Sequence, residues 1–119
     1  MADKNKLNDE EMEYLKSKGI HIGNQGFACQ EIYALIPKTI IYLHHKNNYA
    51  DFCTHLHFHI VDNDGSCRIT YSNTSYDCEG NPIITNVYDS GICESDLSAL
   101  YKTLQFCIEN TNEHLEIKL

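Results

Sequence analysis

The strictest pattern in the chain is the alternation from Cys53 to Ile60, CTHLHFHI. Leu56, Phe58 and Ile60 fall on one side of an extended strand. Cys53, His55, His57 and His59 fall on the other, because strand side chains alternate with period two. Thr39 to His45 (TIIYLHH) is rich in β-branched and aromatic residues and predicts the preceding strand. With residues 46–51 as the hairpin loop, His44 lies opposite Cys53, Tyr42 opposite His55 and Ile40 opposite His57. Ile41 and Leu43 then share the apolar face with Leu56 and Thr54, and His44 joins the donors. A register slipped by one would send His44 to the other face.

A second hairpin follows. Asp64-Gly65 is a two-residue turn signal between strand-like runs, and it pairs Ile60 with Ile69 and Phe58 with Tyr71. Cys67, Ile69 and Tyr71 join the apolar face, while Arg68, Thr70 and Ser72 lie beside the histidines. Asn73 to Asn81 reads as a polar loop, Pro82 to Tyr88 (PIITNVY) as a fourth strand, and Leu115, Ile117 and Leu119 as an alternating edge strand.

Three stretches take the helical period. Asn8 caps a short N-terminal helix running to Lys18, with Glu11 completing a capping box, acids in the first turn, lysines in the last, and Gly19 after it. Phe27 to Ile36 forms a second helix that ends before Pro37, with Ala28, Ile32 and Ile36 on one face. Ser95 caps the longest helix, Asp96 to Asn110. Its stripe of Leu97, Leu100, Tyr101, Leu104, Cys107 and Ile108 is expected to cover the apolar face of the sheet. The expected class is α+β: an antiparallel four- to five-stranded meander, one long C-terminal helix packed on one face, and a short N-terminal helix.

Composition narrows this picture. The 119 residues and 42% hydrophobic content suit one domain over 1–119, with residues 1–7 loose. No apolar run is long enough to span a membrane and the N-terminus has no apolar signal core, so the expected location is cytoplasmic. There the six cysteines are thiols or ligands rather than bridges, and none forms a C-x-x-C pair.

Charge adds a second candidate surface. The chain carries −8, and its acids concentrate at Asp62, Asp64, Asp77, Glu79, Asp89, Glu94 and Asp96, where Arg68 is the one base. Such a field repels a nucleic-acid backbone and attracts a basic protein surface, including one that ordinarily holds nucleic acid. Solubility is the plainer purpose of the same charge.

The candidate chemistry is a metal site. Imidazole and thiolate are zinc ligands, and residues i and i+2 on a strand stand about 7 Å apart on one face. His44, Cys53, His55 and His57 form the best set, with His59 as a substitute. The alternative is a polar strip facing solvent or a partner. Cys67, Cys78 and Cys93, with His21 or Cys29, could make a second cluster, but buried cysteines are more often small core residues, and Cys107 on the helix stripe reads as core.

Three functional classes remain. A non-enzymatic interaction protein would use a structural zinc and its acidic surface. A metal-dependent hydrolase or nucleotide-degrading enzyme would use His44, His55 and His57 with an open coordination position, Asp51 and Asp62 being the flanking carboxylates. A domain without metal would line a pocket for an anionic small molecule with its histidines. In size, acidity and Asn/Ile/Lys-rich composition the chain resembles the small proteins that phages use against bacterial defence, in general character the anti-CRISPR proteins. That resemblance covers overall character and no motif. It implies a non-enzymatic inhibitor that blocks the nucleic-acid groove of a CRISPR effector nuclease, with the segment from Asp62 to Asp96 as the contact surface.

Overall fold

Ile40 and Leu56 face each other in adjacent strands and are both buried, and the core is laid out from this pair. The computed structural model of the chain describes residues 6–43, 53–63, 65–110 and 115–118. In chain order these form α1 (Asp9–Ser17), a 3-10 turn (Gln25–Phe27), α2 (Ala28–Leu35), β1 (Thr39–Leu43), β2 (Cys53–Asn63), β3 (Ser66–Tyr76), β4 (Pro82–Asp89), α3 (Asp96–Glu109) and β5 (Leu115–Glu116). The strands make one antiparallel sheet in the order β4-β3-β2-β1-β5. The α+β class, the long C-terminal helix and the short N-terminal helix are as the sequence predicts.

Local chemistry explains the helix ends. Asn8 accepts from the Glu11 amide at 2.8 Å and Glu11 returns a bond to the Asn8 amide at 2.9 Å, closing the capping box. Gly19 follows α1 with φ +77°, a conformation that glycine adopts without steric cost. Ser95 caps α3 by accepting from the Ser98 amide.

One buried cluster joins the helices to one face of the sheet. Leu15 of α1, Ala28 and Ile32 of α2, and Leu97, Leu100, Leu104 and Cys107 of α3 meet Ile40, Leu56, Cys67, Ile69 and Tyr71. Tyr71 is the largest fully buried side chain. Its hydroxyl donates to the Pro37 carbonyl at 2.6 Å and lies 3.5 Å from Cys107 Sγ, so its one polar atom is satisfied. Leu7, expected in a loose N-terminus, is instead part of this core, and its backbone exchanges two hydrogen bonds with the Gln25 side chain.

The second hairpin has the expected register, with Ile60 opposite Ile69 and Phe58 opposite Tyr71. The first differs by one residue: Ile41 pairs with His55, Tyr42 with Thr54 and Leu43 with Cys53. Ile40 therefore goes inward, and Ile41 shares the outer face. The expected apolar set of Ile41 and Leu43 with Leu56 is thus corrected. The expected polar loop from Asn73 also changes, because Asn73–Tyr76 extends β3 and pairs with Pro82–Thr85. The turn shrinks to 77–81.

Candidate functional site

The histidine strip lies on the sheet face that the helices leave open. Leu56 is buried and Phe58 half-buried on the core side, whereas His55, His57 and His59 are exposed on the other. Ile41 stands opposite His55. His57 sits between Thr39 and Ser72, and His59 stands opposite Thr70. Three histidines in line along one strand span about 13 Å from first to last, so they do not all reach one ion. Their described neighbours are Thr, Ser and Ile, which add no strong zinc ligand. Among the described residues, no group of three or more His, Cys, Asp or Glu is arranged to hold a metal ion. His44 lies outside the described residues. The backbone of Cys53 pairs with Leu43, and its side chain is outside what is described.

The acidic residues fall into separate places. Asp62 ends the core side of β2 beside Asp96 in the first turn of α3. Hydrogen bonding to the Asp96 carboxylate, then its charge, raises the pKa of the Asp62 carboxyl above the usual range. Asp77 and Glu79 share the 77–81 turn. Asp77 accepts from the Glu79 and Asn81 amides at 2.9 Å each, and the bonds from Asn81 lead the causes that hold its carboxyl below the usual range. Asp89 is clasped by Arg68, which lowers its pKa to about 2. Glu94 is exposed just before Ser95, and Asp64 lies outside the described residues.

Among the described residues, β3 beyond Ser72 pairs with β4 alone. Asn73–Tyr76 and Pro82–Thr85 form a two-stranded arm that stands off the helix-covered sheet. Its apolar side chains point both ways: Ile84 (68% exposed) and Tyr76 (69%) on the open face, Ile83 (48%) on the other. The acids Asp77 and Glu79 occupy its tip. Charge counting finds the tip, but the arm itself is hidden in sequence because NTSY reads as polar loop. The legible signal was PIIT, an uncharged β-forming run directly after a turn.

The cysteines outside the strip are mainly structural. Cys67 and Cys93 face each other across an isolated bridge, exchanging backbone hydrogen bonds of 2.9 and 2.8 Å, and both are buried. Burial, with Asp96 and Asp62 close by, pushes the Cys67 thiol up to about 12, which keeps it protonated and unreactive. Cys107 is buried in the core, and Cys78 is exposed in the turn of the arm, in a different element from Cys67 and Cys93.

Comparison of the chain with protein-family models, curated proteins and solved structures finds no match in any of the three. Among the described residues, no helix is long and apolar enough to cross a membrane.

Proposed function

We propose that this chain is a non-enzymatic interaction protein that occupies a basic, nucleic-acid-binding surface of another protein, such as the nucleic-acid channel of a CRISPR effector nuclease. The observation that carries this reading is the β3–β4 arm, with isoleucines and a tyrosine exposed along its flanks and two carboxylates at its tip. Water-exposed apolar side chains grouped on a narrow projection mark a contact surface. Carboxylates at the leading end steer that projection toward positive charge and away from phosphate.

The same reading places a zinc ion on the histidine strip. His55 and His57 are its first ligands, and Cys53, in the same alternation, is the next donor along β2; with the one-residue shift of β1, His44 is no longer expected among them. Its support is chemical: two imidazoles at i, i+2 on an open strand face. The hydrolase reading gains no comparable support: among the described residues, Thr39, Ile41, Thr70 and Ser72 beside the strip carry no carboxylate and Asp62 stands on the core side of β2, while Asp51 lies outside the described residues.

The test is inhibition of guided DNA cleavage by purified CRISPR effector nucleases, with effector bound to guide before the protein is added. Wild type is expected to inhibit, more weakly as salt rises, and the double variant Asp77→Asn, Glu79→Lys, which keeps an Oδ1 acceptor for the turn amides, to lose inhibition while keeping its melting temperature. Equal inhibition by wild type and double variant would overturn the role of the arm, and no inhibition of any effector would overturn the choice of partner.

A further inference from the structure

Among the described residues, β4 is the long open edge of the sheet. It pairs with β3 on one side, and the opposite edge, β5, is only two residues long. The hydrogen-bond parity of β4 can be followed from both ends. At the turn, the Asp77 amide donates to the Asn81 carbonyl at 3.0 Å, and the next pair places Pro82, which has no N–H, opposite Tyr76. Alternation then turns the backbone N–H and C=O of Ile84 and Asn86 away from β3. At the other end the Ser90 amide donates to the Ile69 carbonyl at 2.9 Å, and the two parities meet at a bulge where Val87 is the extra residue.

Sheet edges are commonly guarded by lysines, prolines, bulges or shortness. Here Pro82 and the bulge guard the two ends. Between them lies an open segment with no charge from Pro82 to Tyr88 and with Ile83 and Ile84 exposed on opposite faces. We infer that β4 is a docking edge to which an extended, basic segment of the partner protein adds as a sixth strand through the backbone of Ile84 and Asn86. This rests on the proposal of a basic partner and names how that partner is held.

Charge chooses this occupant over a second copy of the chain. Arg68 is the one base between Asp62 and Asp96, and Asp89 already clasps it. An antiparallel β4–β4 pair centred on Thr85 would set the Asp77–Glu79 tip of each copy against the Asp89–Glu94 end of the other, acid against acid. A strand carrying lysines or arginines meets the same ends with opposite charge. Backbone bonds then supply affinity and the flanking isoleucines supply side-chain contact.

The test uses the full chain and a capped peptide of alternating lysine and valine, as long as β4. A second peptide with the same side chains carries N-methyl groups on alternate amides. Binding is followed by fluorescence anisotropy and located by NMR amide shifts. The largest shifts are expected at Ile84 and Asn86, with affinity lost by at least about tenfold in the N-methylated peptide and in Ile84→Pro. Ile84→Lys is expected to lose as much without removing any ladder hydrogen bond, and keeps the question open to test should the proline variant not fold. Equal binding of both peptides, or shifts confined to the histidine strip or the Asp62–Asp96 corner, would overturn strand addition and leave the basic-partner reading standing. No binding at low salt would overturn both.

Discussion

Arg68 grips Asp89 with both arms of its guanidinium: Nε donates to Oδ1 at 2.9 Å, and Nη2 meets Oδ2. The pair ties β3 to β4 on the open face, one ladder step from where Asp89 stands opposite Thr70. It also consumes the only base in the acidic segment, so the remaining acids there keep their full field.

The pair makes a pH prediction. Hydrogen bonding to Arg68 lowers the folded pKa of Asp89 to about 2, below its unfolded value, so its contribution is present above the unfolded pKa and is lost as pH falls through the folded one. Asp89→Asn is expected to lower the melting temperature by no more than a few degrees at neutral pH, since exposed ion pairs contribute little. The difference should shrink as pH falls below the unfolded pKa and close only below pH 2. Thermal melts across that range check it, and a difference that persists in acid would contradict it.

Asp62 predicts the opposite sign. Its carboxyl is raised by Asp96, so the favourable hydrogen-bonded form exists below its unfolded pKa and is lost as pH rises through the folded pKa. Asp62→Asn is expected to raise the melting temperature near pH 7 and to lose that gain near pH 3. A variant less stable than wild type at neutral pH would show that the two carboxylates are not in repulsive contact.

Tyr71→Phe removes the bond to the Pro37 carbonyl and leaves that acceptor without its partner. The expected cost is about 1–3 kcal/mol by urea unfolding. Leu104→Ala, at a fully buried position of α3, is expected to cost about 2–5 kcal/mol. A tyrosine variant as destabilised as the leucine one would mean the ring's packing, rather than its hydroxyl, is disturbed.

Metal content of untagged, chelator-free protein tests the histidine strip. Inductively coupled plasma mass spectrometry is expected to find zinc in wild type and to lose it in His55→Ala and in His57→Ala. Zinc retained in both variants would move the site away from β2.

Much of the sheet was legible before the structure. Asp64-Gly65 sits between two runs that are apolar on one face only, so one register puts Ile60, Ile69 and Tyr71 on the core side, where Ile69 and Tyr71 are buried, and a slip of one would turn them out. The first hairpin gave no such choice. Thr39-Ile40-Ile41-Tyr42-Leu43 is apolar on both faces, so the pattern does not decide between Ile40 and Ile41; a hairpin loop of 46–51 turns Ile41 inward, whereas the structure has Ile40 there. The candidate site was legible in part. Alternation alone put His55, His57 and His59 on the open face. It could not show that the acids of one sequence segment would separate to a sheet corner, an arm tip and an ion pair. Nor could the polar letters of NTSY show that their backbone continues β3.

The bulge at Val87 has one further consequence. Tyr88 stays opposite Tyr71 and Asn86 opposite Ser72, with Val87 inserted between them. Deleting it would leave both pairings, and so every surface the arm displays, in place. What would change is the local bend and coil of β4, which such an insertion sharpens, together with the packing of Val87 against the core. The heading of the arm is thus set by a single codon, separately from its chemistry, and can be re-aimed at a differently shaped target without redrawing what it presents.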